Sequence, residues 1–180
     1  MDLSKIPSFA TDDLFHVVVE APRGSALKLK YEPRWQVMAI SRPLPLGVTF
    51  PFDWGFVPST VAADGDPLDA MLLWDVASYP GVVVECRAIG VLQVEQNRAR
   101  QDPSVRIRND RVLAIPREAR REKVLRDVAE LPERLRQELE RFTIAATALE
   151  GKDARVIGWG TARDGLKLVR DSASRAVGAE

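Results

Sequence analysis

Histidine and cysteine are almost missing, with one of each, His16 and Cys86, in 180 residues. A lone cysteine excludes an internal disulfide, and its apolar neighbours mark Cys86 as a core side chain. With one of each, no metal site can rest mainly on imidazole and thiolate ligands. Oxygen ligands are left, and those suit Mg²⁺, Mn²⁺ or Ca²⁺. His16 lies in a predicted strand with no second histidine to work with, which marks it as a hydrogen-bonded structural residue. No apolar run reaches membrane-span length, and the N-terminal MDLSKIPSFATDDLF lacks the charged-then-apolar layout of a signal peptide. A cytoplasmic protein with no membrane partner is expected. Repeats, low-complexity blocks and linkers are absent too, so residues 1–180 are expected to form one domain. Net charge is zero, although Arg98 to Lys123 holds nine basic residues against four acidic ones. No aromatics are interleaved with those arginines, which argues against nucleic acid and for a solvated, partly salt-bridged surface.

What the chain does have is Asp64-Gly65-Asp66-Pro67-Leu68-Asp69, three carboxylates within six residues. Gly65 permits a backbone angle other residues resist, and Pro67 fixes its own φ and biases Asp66 toward an extended form. Like charges held this close call for a divalent cation or a proton. Asp, Gly and Pro are also ordinary turn residues, so a solvated turn is the competing reading. Around this stretch, residues 15–20, 27–31, 35–40, 70–74, 82–94 and 105–115 read as strands, and 46–63 as an irregular aromatic-rich loop. Pro132 sits well at a first helical turn, and Leu131, Leu135, Leu139, Phe142 and Leu149 recur at helical spacing before a stop at Gly151. Residues 154–159 read as one more strand and 161–177 as an amphipathic helix. Many short strands followed by helices predict a β-dominant (all-β/α+β) fold, a small antiparallel barrel flanked by helices, with the acidic turn at its mouth.

The acidic stretch fits the D-x-D-P-x-D pattern of soluble family I inorganic pyrophosphatases, and the match runs on in order. Val17-Val18-Val19-Glu20-Ala21-Pro22-Arg23-Gly24-Ser25 resembles that family's first strand and turn. Phe50-Pro51-Phe52-Asp53-Trp54-Gly55-Phe56-Val57-Pro58 resembles its Y-P-x-N-Y-G-x-I-P segment. Gly90-Val91-Leu92, Leu113-Ala114-Ile115-Pro116 and Gly158-Trp159 continue the match, so that similarity covers roughly residues 15–160. The resemblance implies an OB-like five-stranded antiparallel β-barrel, a homo-oligomer, Mg²⁺ or Mn²⁺ as cofactor and hydrolysis of a small phosphorylated substrate. It further implies Asp64, Asp66, Asp69 and Asn109 as metal ligands, and Asp66 as the base that activates water. Lys28, Arg42, Arg111 and Trp54 would bind substrate, and Glu20 would hold waters in the outer shell.

Several positions depart from the family pattern. A glutamate is expected where Lys30 stands, which reverses the charge. Phe50 and Trp54 replace tyrosines, removing one hydroxyl and leaving an indole N–H that donates only. Gln96 and Asn109 fall where aspartates are expected, and Ala145-Ala146-Thr147 where a tyrosine and a lysine are. Glu95, Asp102 and Asp110 are candidates to replace a lost ligand, although a one-residue shift along a strand turns Asp110 to the opposite face. An indole face at Trp54 could stack on an organic substrate, or simply pack. A catalytically degenerate homologue with a binding or regulatory role is the alternative function.

Overall fold

The computed structural model describes residues 2–97 and 105–178. In chain order the elements are β1 (Phe15–Ala21), β2 (Leu27–Glu32), β3 (Val37–Pro43), β4 (Asp53–Val57), β5 (Leu68–Leu72) and β6 (Val83–Asn97). They continue as β7 (Arg106–Arg108), β8 (Arg111–Pro116), α1 (Glu133–Thr147), β9 (Arg155–Gly160) and α2 (Ala162–Val177). Strands β1, β4, β5, β8 and β6 pair in that order, and β6 returns to β1 to close a five-stranded ring. The expected barrel with helices outside it is present. One seam runs parallel, β5 against β8 with Ala70 opposite Val112, because the chain crosses through β6 before β8 is laid down. Strands β2 and β3 form a separate ribbon, and β7 and β9 extend the sheet from β6.

The ring strands are apolar on both sides because both sides are covered. On β8, Val112 and Ala114 join one core cluster with Leu68, Ala70 and Leu72 of β5 and Val169 of α2. Leu113 and Ile115 join the other, with Met71, Ile89 and Leu92, where Leu139 of α1 seals it. Burial on both faces also explains a strand the sequence concealed. All five residues of β4 are buried, so no polar–apolar alternation marks it, and the stretch 46–63 is not the continuous loop expected. Strands β3 and β5 are displaced by two or three residues from their expected spans (35–40 and 70–74), so Asp69 stands on β5 rather than in the turn. The buried Asp53 carboxylate starts β4 and accepts from Arg23 N (2.8 Å), Trp74 Nε1 (3.0 Å) and Ser78 N (3.1 Å), tying two loops to it.

Cys86 is buried, and His16 donates from Nδ1 to the Pro7 carbonyl at 2.7 Å. Within the basic segment, Arg106, Arg108, Arg117 and Arg121 each pair with a carboxylate. Arg98, Arg100 and Asp102 lie outside the described residues.

Candidate active site

The acidic turn is the connection of the β4–β5 hairpin. Ala62 N donates to Asp66 O (2.8 Å), Gly65 N donates to Ala62 O (3.1 Å), and Gly65 takes φ +92°. That φ is what a side chain would resist, so the glycine lets Asp64 and Asp66 crowd into one tight loop just ahead of Asp69 on β5. Asp64 Oδ1 accepts from Asp66 N at 3.2 Å, which ties the Asp64 carboxylate to the turn backbone.

Over this turn opens a cavity of about 360 Å³ whose lining includes Glu20, Lys28, Lys30, Tyr31, Asp64, Asp66, Asp69, Asn109 and Lys152. Six of these, Glu20, Lys28, Asp64, Asp66, Asp69 and Asn109, are residues the sequence predicted for the site, brought together from β1, β2, the hairpin, β5 and the segment before β8. A second, narrow cavity of about 30 Å³ adjoins it through the shared Lys28, and it gathers Arg42, Trp54 and Arg111 with α1 residues from Phe142 to Thr147. The predicted site therefore divides into a carboxylate end and a guanidinium end, with Lys28 facing both. Glu95 and Asp110 line neither cavity. Glu95 pairs with Arg106 (2.7 Å), and Asp110 pairs with Arg108 while accepting from Val94 N (2.9 Å).

Charge at the carboxylate end is partly cancelled from within. Lys30 Nζ lies 3.2 Å from Asp66 Oδ1. Partial burial works against the Lys30 charge, but Asp66, with Glu20 and Asp69 behind it, outweighs it and lifts Lys30 above the ordinary lysine value. Burial pushes the Asp64 carboxyl up, as do the charges of Asp69 and Asp66, against the hydrogen bond from Asp66 N and the charge of Arg111. Arg111, 3 % exposed, has its Nε 4.0 Å from Asp69 Oδ2 and its guanidinium 5.8 Å from the centre of the Trp54 ring. Burial draws its pKa down, and the charges of Asp69 and Asp64 push back.

Trp54 is a packing residue first. Phe50 lies against it with centroids 5.7 Å apart, Arg111 takes its ring, and only its unpartnered Nε1 is left as a polar handle. Trp54 is 5 % exposed, so packing accounts for the indole without a stacked organic substrate. Gln96, the residue at an expected aspartate, is 3 % exposed with its Oε1 unpartnered.

The metal-binding potential follows from the donor set. Asp64, Asp69 and Asn109 offer two carboxylates and one amide carbonyl to the same cavity. Among the described residues no three His, Cys, Asp or Glu side chains cluster so as to hold a metal ion. A pair of carboxylates with a neutral oxygen suits one hard cation that keeps several waters.

Glu20 is the most perturbed carboxyl facing the cavity. Burial pushes it up to about 7, against the Tyr31 N–H it accepts at 2.9 Å, while Asp69 adds repulsion and Lys28 and Lys30 oppose it. Its folded value exceeds the unfolded 4.5, so the native state holds a proton that the unfolded chain has lost between these two pH values. Stability therefore falls as pH rises from about 4.5 to about 7, and the penalty is complete above that range. We expect Glu20→Gln, measured in chelator, to raise stability at pH 8 by up to roughly 3 kcal/mol. The gain should vanish near pH 4.5; a gain independent of pH would contradict it.

Comparison with known proteins agrees with this geometry. A family model described as inorganic pyrophosphatase matches residues 17–177. The chain belongs to the inorganic pyrophosphatase family. By that homology it is a family I soluble pyrophosphatase-type hydrolase. It is 36% identical to the inorganic pyrophosphatase of Thermus thermophilus over 169 residues, 92% of each chain. The crystal structure of inorganic pyrophosphatase from Thermus thermophilus superposes with a TM-score of 0.89 at 34% identity, covering 98% of this chain and 99% of that one. The inorganic pyrophosphatase structure from Coxiella burnetii follows at 0.84 and 29%, covering 94% and 99%. Within this pyrophosphatase fold, sequence reasoning overlooked Lys152 and Glu150. Neither sits in a motif, and Glu150 meets Arg42 across 108 positions.

Proposed function

We propose that this chain hydrolyses a phosphoanhydride, pyrophosphate or a related small phosphorylated substrate, in the cavity above the Asp64–Asp69 turn. The observation that most supports it is the convergence of Glu20, Lys28, Asp64, Asp66, Asp69 and Asn109 on one cavity in a pyrophosphatase-family fold. Asp64, Asp69 and the Asn109 carbonyl, with Asp66 beside them, would hold Mg²⁺ or Mn²⁺. Such an ion, when bound, neutralises substrate charge and makes water a better nucleophile. Asp66 takes the proton from the attacking water as the water oxygen bonds to phosphorus and the bridging P–O bond breaks. Lys28, Arg42 and Arg111 bind the phosphate oxygens, Arg42 and Arg111 with planar forks suited to two oxygens at once. The Trp54 N–H adds a neutral donor, and Glu20 holds waters behind the ligands. A cytoplasmic homo-oligomer belongs to the same reading; Trp35, Val37 and Ile40, exposed on the β2–β3 ribbon, support the oligomer. Among the described residues no helix is long and apolar enough to cross a membrane.

The test is phosphate release from pyrophosphate and from organic phosphates, with Mg²⁺, with Mn²⁺ and with chelator. Metal-dependent release supports the proposal, and no release from any of them overturns it. A second reading, a homologue that binds without catalysis, draws support from Lys30 on Asp66 and from the want of a three-carboxylate cluster among the described residues. Calorimetric titration separates the two: one bound ion together with turnover favours the hydrolase, and neither favours the binding protein.

A further inference from the structure

Arg42 is already occupied. Its Nη2 donates to Glu150 Oε1 and to the Ala146 carbonyl at 2.9 Å, at the C-terminal end of α1, where the helix dipole adds negative potential. Its Nη1 has the Pro43 carbonyl at 3.4 Å. The other oxygen of Glu150, Oε2, holds Lys152 Nζ at 2.9 Å. These are not loose surface pairs, since the Glu150 side chain is 15% exposed and that of Arg42 24%. Arg42 lines the narrow cavity and Lys152 the wide one, so one carboxylate ties down a cation on each. The other charged or nitrogen-bearing groups in the narrow cavity are all donors, namely Lys28, Arg111, whose Nε has no hydrogen bond, and Trp54, whose Nε1 has none; the hydroxyls of Thr143 and Thr147 are spent on carbonyls within α1.

We infer that Glu150 is a specificity-determining residue, a tethered carboxylate that any anion must displace from Arg42 to occupy the guanidinium end. The inference rests on the reading that Arg42 binds substrate phosphate. A ligand wins this exchange only if it repays the loss of two ion pairs. A terminal phosphoryl dianion can do so, because it carries two charges and three oxygens against one charge and two oxygens on Glu150. A carboxylate or other monoanion offers Arg42 nothing that Glu150 does not. Displacement also frees Lys152 into the wide cavity, so the ligand that removes Glu150 gains a second cation. The site thus selects for terminal phosphoryl dianions and rejects singly charged anions of similar size.

The test titrates wild type, Glu150→Gln and Arg42→Met with methylenediphosphonate, a non-hydrolysable pyrophosphate analogue, and with acetate, by calorimetry. Thermal unfolding confirms that each variant folds. Glutamine keeps an acceptor for Arg42 but removes the charge. It should tighten methylenediphosphonate by about tenfold and make acetate binding detectable, and Arg42→Met should weaken the diphosphonate. Weakening by Arg42→Met with no tightening by Glu150→Gln overturns the inference and leaves the site reading standing. Binding unaffected by Arg42→Met, or absent from both wild type and Glu150→Gln, overturns the site reading and the inference together.

Discussion

Asp66→Asn is expected to lower metal-dependent phosphate release by on the order of 10²–10⁴-fold, the range for removing a positioned general base. An amide occupies nearly the same volume but accepts no proton from the attacking water. Stability should barely move, because the Asp66 side chain is 66% exposed and its Lys30 pair is solvated. A pair of that kind contributes about 1 kcal/mol or less. Loss of activity with unchanged thermal unfolding is therefore the signature to seek, in initial rates under saturating Mg²⁺. A rate within tenfold of wild type would remove Asp66 as base.

Gly55→Ala should damage the fold rather than the chemistry. Gly55 sits in the middle of β4, opposite Val19 on one side and Ala70 on the other. A β-carbon there would lie 2.0 Å from the Val18 carbonyl oxygen, 2.8 Å from its carbon and 3.0 Å from Val19 Cα. All three are backbone atoms of β1, so no rotamer change relieves the clash, and the β1–β4 seam must open. We expect a loss of at least roughly 3 kcal/mol, a large part of the ~5–15 kcal/mol by which domains are stable. Gly65→Ala is the control: its φ of +92° strains a side chain, but open space surrounds it. It should cost about 1–2 kcal/mol. Urea unfolding of both variants decides the matter, and a Gly55→Ala cost no larger than that of Gly65→Ala would refute the packing argument.

The same glycine shows where the sequence was hard to read. Strand β4 carries Gly55 for close approach and is followed by Pro58, so its local signals are those of a loop, while its burial comes from partners far away in the chain. Strands β1 and β6, rich in β-branched residues, declared themselves. The motif residues Asp64, Asp66 and Asp69 were legible because a tight turn is a local event. Lys30 was legible as a reversed charge, but that it reaches Asp66, 36 positions on, depends on how the ribbon lies over the turn. The parallel β5–β8 seam and the Glu150–Arg42 pair left no local pattern, since the first arises only when the ring closes and the second only when the β2–β3 ribbon meets the end of α1.

That closure has a consequence for how the protein must be made. Strand β8 slots between β5 and β6, hiding an unpaired edge of each. A nascent chain that has emerged only as far as the residues before Arg111 therefore presents two open strand edges, the kind of template on which chains aggregate. Long-range pairing of this sort is slow to form, so the interval is a real exposure during synthesis. The strand that ends it begins with Arg111. Protection of these two edges and arrival of the guanidinium beside Asp69 are one event.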